Sequence, residues 1–125
     1  MKINYSYSSE QPSLMQSIGT ATSPKYQISF DTEELSSENT DGQQVTSYRS
    51  LYVQVKSISY ADVISAIIQS RYSDSEITSI AMNNMQANDI NSEISQEKRK
   101  EYISEYTELQ SWRKHAKEIA SSLSS

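Results

Sequence analysis

The amino-acid sequence predicts an α+β fold, in which an N-terminal antiparallel β-hairpin or meander packs on two short helices and one long C-terminal helix. The prediction depends on a change of pattern near residue 58. Before it, apolar residues alternate with polar ones or follow no period, and after it they recur every three or four residues. A chain of 125 residues has the usual length of one domain. We therefore expect a single domain over 1–125, with an arm or loop at 1–24, strands at 25–57 and helices at 58–122.

Alternation predicts three strands, because successive residues of a strand point to opposite faces. The first lies at 2–7 and is expected to form either a short strand or an ordered arm. The other two, at 25–34 and 44–56, are expected to pair as a hairpin. The side chains expected on the buried face of this hairpin are Tyr26, Ile28, Phe30, Leu51, Val53 and Val55.

Two segments between these strands read as loops. Residues 8–24 contain both prolines and show no period. Residues 34–43 are polar and include Asp41-Gly42, a typical turn dipeptide. We expect these two segments to be the mobile parts of the chain.

Capping residues mark the start of each predicted helix. Ser59 is placed to cap the first, and Ser73 with Glu76 fits the capping box of the second. Ser95 is expected to cap a final helix that extends from 96 to about 122. The core predicted from all elements consists of Ile28, Phe30, Leu51, Val53, Val55, Val63, Ile64, Ile67, Ile68, Ile77, Ile80, Tyr106, Leu109 and Ile119.

The composition of the chain argues against several kinds of function and site. The formal net charge of −5 argues against a general polyanion binder, and the absence of cysteine excludes disulfides and Cys-ligated zinc. No apolar run reaches the 18 residues of a membrane span, and the N-terminus lacks the apolar run of a signal peptide. We expect no membrane partner and a cytoplasmic location in the producing cell, which is compatible with association with a virion.

Motifs of catalysis or cofactor binding are not evident. The single histidine, His115, lies in a helical stretch of mixed charge and is expected to be solvated. There is no G-x-S-x-G elbow, and two glycines do not make a phosphate-cradling loop. Residues 37–42 match part of a calcium loop, but Tyr48 stands where a bidentate Glu is needed. We therefore predict no enzyme, no metal and no cofactor.

Residues 60–86 also allow an alternative, a small DNA-binding regulator with a helix-turn-helix. The second helix of this segment contains no Lys or Arg and begins with Asp74 and Glu76, which would face phosphate. The basic run at 98–100 lies between Glu97 and Glu101 and reads as a solvated helix face. Nucleic acid is therefore not the preferred partner.

Tyrosine is unusually frequent, with nine residues against one phenylalanine. A tyrosine buries its ring and keeps a hydroxyl that needs a partner, so it suits half-exposed faces and interfaces. The apolar fraction of 35% implies a thin core that a second subunit could complete. The candidate interface residues are Tyr48, Tyr52, Tyr102, Tyr106 and Trp112.

Several runs between about residues 48 and 122 form a common pattern: Leu51-Tyr52-Val53-Gln54-Val55-Lys56, Tyr60-x-x-Val63-Ile64-x-x-Ile67-Ile68, Arg71-Tyr72-Ser73-x-x-Glu76-Ile77, Asn83-Asn84, Glu108-Leu109-Gln110-x-Trp112-Arg113 and Ala116-Lys117-x-Ile119-Ala120. This pattern resembles small uncharacterised proteins of phages and prophages, especially those of gut bacteria. These are core and capping residues, so the resemblance implies a setting and no functional residue. The expected function is that of a non-catalytic structural or accessory phage protein, acting through protein–protein contacts with itself or another phage protein.

Overall fold

The computed structural model describes residues 4–123 and confirms the α+β fold. In chain order the elements are β1 (Tyr5–Ser8), β2 (Met15–Ser17), β3 (Tyr26–Glu38), β4 (Gln44–Val55), α1 (Tyr60–Arg71), α2 (Asp74–Ala87) and α3 (Gln96–Leu123). The strands form one antiparallel sheet in the order β1-β4-β3-β2. Of the strand predicted at 2–7, residues 2–3 lie outside the described residues.

Both segments predicted as loops contain strand, and these predictions were wrong in part. Met15–Ser17 forms β2, which pairs with the first residues of β3. The strand β3 continues to Glu38, so residues 34–38 are not loop. Its last residues are mostly exposed on both faces, and a strand without a buried face has no hydrophobic alternation that a sequence could reveal.

The core lies between one face of the sheet and the three helices. Ile28, Phe30 and Val53 share this face because Ile28 pairs with Val53 and Phe30 stands two residues further along β3. Every residue predicted for the core lies in this cluster or packs against it. The cluster also contains four residues that the prediction omitted, Tyr72, Trp112, Ala116 and Ala120.

The predicted helix caps are present. The Ser59 hydroxyl accepts a hydrogen bond from the backbone N–H of Asp62, and Ser73 and Glu76 form a reciprocal capping box. The Ser95 hydroxyl accepts from the backbone N–H of Lys98 at 3.1 Å. These bonds satisfy N–H groups that the first turn of a helix leaves without partners.

The long helix α3 holds the other two helices in place. Both α1 and α2 pack against it, and its buried residues are Leu109, Trp112, Ala116, Ile119 and Ala120. At its start, the Arg99 guanidinium donates to the backbone carbonyls of Ala87, Asp89 and Ser92. One side chain thus satisfies carbonyls at the end of α2 and in the connector that follows. Within residues 4–123, no helix has the length and apolar character needed to cross a bilayer.

Candidate functional site

The most distinctive surface of the molecule is the far half of the β3–β4 hairpin, residues 33–47, which we call the ribbon. No ribbon residue belongs to the buried core, and only Leu35 and Ser47 are half-buried. The remaining residues are exposed although the two strands are regularly paired from Glu33↔Arg49 to Glu38↔Gln44. The ribbon is therefore held by its backbone ladder and its turn rather than by a hydrophobic face.

The turn that closes the ribbon follows the prediction made from Asp41-Gly42. Gly42 has a φ of +77°, a conformation that glycine adopts without the steric penalty of a Cβ. The Asn39 side-chain oxygen accepts from the backbone N–H groups of Asp41 and Gln43, each at 3.0 Å. The Asn39 N–H donates to the Gln43 carbonyl at 2.9 Å and starts the ladder. The turn explains residues 37–42 without a metal.

A β-bulge separates the ribbon from the packed half of the hairpin. The register shifts between Phe30 and Glu33, so Asp31 and Thr32 stand opposite Ser50. Asp31 has a φ of +51°, which is strained for a residue with a side chain. The two bulged residues have different partners. The Thr32 hydroxyl hydrogen-bonds to the buried Ser50 hydroxyl on β4 at 2.8 Å, and the Asp31 carboxylate contacts a side chain of α3.

The helix partner of Asp31 is His115, and this contact corrects the expectation that His115 is simply solvated. Nε2 of His115 lies 2.7 Å from Oδ1 of Asp31, and Nδ1 lies 3.8 Å from a Glu118 oxygen. The ring centroid is 5.7 Å from that of Trp112. His115 is half-exposed and fixes α3 to the bulge where the ribbon begins.

Both outer edges of the ribbon carry free backbone groups among the described residues. Strand β1 pairs with β4 only at Tyr48–Leu51, and β2 pairs with β3 only at Tyr26–Ile28. The β4 edge at 44–47 and the β3 edge at 33–38 therefore pair only with each other. An exposed edge presents a row of N–H and C=O groups to which another strand can pair.

The two edges differ in charge. The β3 side contains Glu33, Glu34 and Glu38, whereas the β4 side, Gln-Val-Thr-Ser at 44–47, is uncharged. Glu33 accepts a charge-assisted hydrogen bond from Arg49, which raises the pKa of the Arg49 guanidinium above its ordinary value. The Arg49 guanidinium also lies 4.6 Å from the centre of the Tyr5 ring on the neighbouring strand.

The five aromatic residues predicted for an interface do not have a common environment. Trp112 is a core residue, 8% exposed, and its Nε1–H donates to the Ile67 carbonyl at 2.9 Å. Tyr106 packs against the core, and its hydroxyl oxygen accepts from Gln110. Tyr48 and Tyr52 are half-buried on β4, and Tyr102 is half-buried near the start of α3. Their role in an interface stays a prediction, while the ribbon, which has no aromatic residue of its own, was missed.

Several grooves on the described surface are open to solvent, and two of them lie near the features above. One, of about 420 Å³, is lined mostly by polar residues beside the β4 edge, among them Asn4, Tyr52 and Gln69. The other, of about 340 Å³, contains Arg71, Trp112 and His115. The Arg71 guanidinium lies 5.0 Å from the centre of the Trp112 ring, and its buried Nε has no hydrogen-bond partner. No group of three or more metal-ligating side chains occurs in the part of the chain that the structure describes.

The segment proposed as a helix-turn-helix folds as two short helices joined at Tyr72 and Ser73. The helix α2 buries Ile80 and Ala87, and the first turn carries Asp74 and Glu76 in the capping-box arrangement. The pKa of Glu76 is lowered because its carboxylate accepts from the Ser73 backbone N–H. A carboxylate fixed at the end of the helix that would approach DNA does not favour phosphate binding.

No protein-family model, no curated protein and no solved structure matches this chain. A function for the ribbon can therefore be inferred only from its geometry and its sequence.

Proposed function

We propose that this chain is a non-catalytic protein that acts through protein–protein contacts, associates with itself, and serves as a structural or accessory component of a phage or prophage. The observation that carries the proposal is the ribbon at residues 33–47. Its backbone is ordered into paired strands, yet all its side chains except those of Leu35 and Ser47 are exposed, and no other described strand pairs with its outer edges. Such a surface offers backbone groups and side chains to another protein.

Features outside the ribbon agree with a role in assembly. The Asp31–His115 contact connects the bulge at the base of the ribbon to α3. His115, the residue on which an enzyme hypothesis depended, is occupied in this structural contact. The phage setting is supported by the resemblance of residues 48–122 noted above.

The first test is the molar mass of the protein in solution, measured by light scattering behind a sizing column over a range of concentrations. We expect an oligomer that dissociates on dilution. The matched variant replaces residues 36–46 by Asn-Gly, which joins Leu35 to Ser47 through a two-residue turn and leaves the packed half of the hairpin intact. We expect this variant to keep its circular dichroism spectrum and to be monomeric.

A molar mass of one chain throughout the concentration range would contradict self-association. The DNA-binding alternative has a separate measurement, a titration with duplex DNA at low salt, where electrostatic binding is strongest. We expect no binding at micromolar concentrations. Salt-sensitive binding would instead favour the regulator.

A further inference from the structure

We infer that two copies of this chain pair antiparallel through the free edge of β4, with Val45 on the twofold axis, so that one sheet continues from copy to copy. The inference rests on the self-association proposed above and names the edge and the register. It follows from four observations: the direction of the backbone groups, the extent of β1, the symmetry of the pairing, and the charge of the two edges.

The hydrogen bond from the Asn39 N–H to the Gln43 carbonyl fixes which backbone groups face outward. In an antiparallel pair, hydrogen-bonded and non-hydrogen-bonded positions alternate. The backbone N–H and C=O groups of the odd-numbered ribbon residues therefore bond across the hairpin, and those of the even-numbered residues point to the outer edges. The hydrogen bond from the Tyr52 N–H to the Asn4 carbonyl agrees with this alternation, because Tyr52 is an even-numbered residue of β4 and its N–H points to the outer edge. Gln44 and Thr46 thus present free groups on the β4 edge.

The strand β1 limits how much of this edge is free. Ser8 pairs with Tyr48, and from there β1 covers β4 as far as Leu51. The free part of β4 ends at Ser47. A second strand added to this edge occupies 43–47 and meets β1 end to end.

Symmetry then selects one register. Two identical antiparallel strands related by a twofold axis place one residue opposite its own copy. With Val45 on the axis, the outward groups of Gln44 face those of Thr46 in the other copy. With Thr46 on the axis, Gln44 would instead face Tyr48, whose edge is already taken by Ser8. With Gln44 on the axis, Thr46 would face Gly42, which lies in the turn at a positive φ and outside β4. Of these three registers, the one centred on Val45 pairs Gln44 with Thr46 and leaves β1 in place.

The charges favour the β4 edge over the β3 edge. Pairing two β3 edges about Ser36 would place Glu34 of one copy opposite Glu38 of the other, and like charges on neighbouring strands repel. Acidic residues on an edge strand are a common protection against such pairing. The β4 edge has no charge, and Val45, 41% exposed, would gain an identical apolar neighbour across the axis.

The first experiment compares Thr46→Pro with Ser36→Pro by light scattering. The two residues face each other across the ribbon, and both N–H groups point outward, so neither proline removes a bond of the hairpin ladder. The β3 edge carries Ser36 and the β4 edge carries Thr46. We expect Thr46→Pro to raise the dissociation constant by at least tenfold and Ser36→Pro to leave it unchanged.

The second experiment uses the absence of native cysteine. In the inferred register the two Val45 Cα atoms lie about 4.5 Å apart, as in a non-hydrogen-bonded pair, which is within the range of a disulfide. We expect Val45→Cys to form a covalent dimer under mild oxidation. The control, Ser37→Cys, pairs with Val45 on the same face, but its two copies would be separated by three strand spacings, roughly 14 Å. We expect it to stay reduced.

The outcomes separate the inference from the proposed function. An oligomer that tolerates Thr46→Pro and in which Val45→Cys does not cross-link overturns the β4 pairing and leaves self-association standing. Monomeric wild-type protein overturns both. If Thr46→Pro fails to fold, the cross-linking pair decides alone: linkage of Val45→Cys with no linkage of Ser37→Cys supports the inference, and equal linkage of the two overturns it.

Discussion

The two halves of the β3–β4 hairpin share a ladder but not a source of stability. Before the bulge, Ile28 and Val53 face each other and are buried under the helices. After it, Ser37 and Val45 face each other on the ribbon and are exposed. Backbone pairing is regular in both halves. The backbone ladder therefore sets the shape of the hairpin, whereas side-chain burial decides which half contributes to the free energy of folding.

The bulge makes this division possible. An extra residue in β3 increases the local twist and bends the strand, so the ribbon leaves the line of the packed half. The Asp31–His115 contact fixes the position of this bend relative to α3.

The largest expected effect comes from removing what covers the packed half. Trp112→Ala deletes a core side chain that lies 6.1 Å, centre to centre, from Phe30 and donates to the Ile67 carbonyl. We expect a loss of about 3–5 kcal/mol in the free energy of unfolding, measured with urea. The matched variant Trp112→Phe keeps an aromatic ring and loses the hydrogen bond, so it should cost less. Equal stability of Trp112→Ala and wild type would contradict the assignment of Trp112 to the core.

Two valines on one strand distinguish the packed half of the hairpin from the ribbon. Val53 and Val45 are both on β4 and on the same face, with 7% and 41% of their surfaces exposed. We expect Val53→Ala to lower the free energy of unfolding by about 2 kcal/mol. We expect Val45→Ala to change it by no more than about 0.5 kcal/mol. Since self-association would add to stability, both are measured at a concentration where the protein is monomeric. Similar losses would mean that the ribbon packs as the base does.

The bulge lies between the two halves, and substitutions of Asp31 test its left-handed backbone conformation. Asp31→Ala removes the bond to His115 and keeps a Cβ at a positive φ, whereas Asp31→Gly removes the bond and relieves the strain. We expect Asp31→Ala to be less stable than Asp31→Gly by about 1 kcal/mol. The reverse order in urea unfolding would show that residue 31 does not adopt the left-handed conformation.

The packed half and the helix starts could be predicted from the sequence because each depends on local pattern. Ile28 and Val53 stand in alternating runs, and Ser59 and Ser73 stand where capping chemistry requires them. Trp112 was recognised as part of the helical stripe but was also considered for an interface, since a stripe does not show which of its residues meets a neighbour.

The candidate site could not be predicted in the same way. The ribbon has no buried face, so residues 34–38 lack the alternation that identifies a strand, and β-branched Val45 and Thr46 were the remaining signal. The contact between Asp31 and His115 joins positions 84 residues apart, and nothing local to either indicates it. The unequal charge of the two edges has a meaning only once the pairing of β3 and β4 is known.

The last expected effect is a pH-dependent change in the free energy of unfolding, caused by the charge of Glu76 at the start of α2. This residue lies in the helical layer, away from the ribbon. The pKa of Glu76 is lowered from its ordinary value of 4.5, chiefly by the hydrogen bond from the Ser73 backbone N–H. A carboxyl with a lower pKa in the folded state stabilises the fold at pH values above its unfolded pKa, and this contribution is lost as the pH falls through the folded pKa. Glu76→Gln keeps an acceptor in the capping box but does not titrate. We expect it to unfold at a lower urea concentration than wild type at neutral pH, and the difference to disappear in acid.

Ser73→Ala is the control that removes the other half of the capping box. We expect it to lower the free energy of unfolding by about 1 kcal/mol. Because Glu76 can still accept the backbone N–H of residue 73, this variant should keep part of the dependence of stability on pH. A difference between Glu76→Gln and wild type that is constant with pH would show that the charge of Glu76 does not stabilise the start of α2.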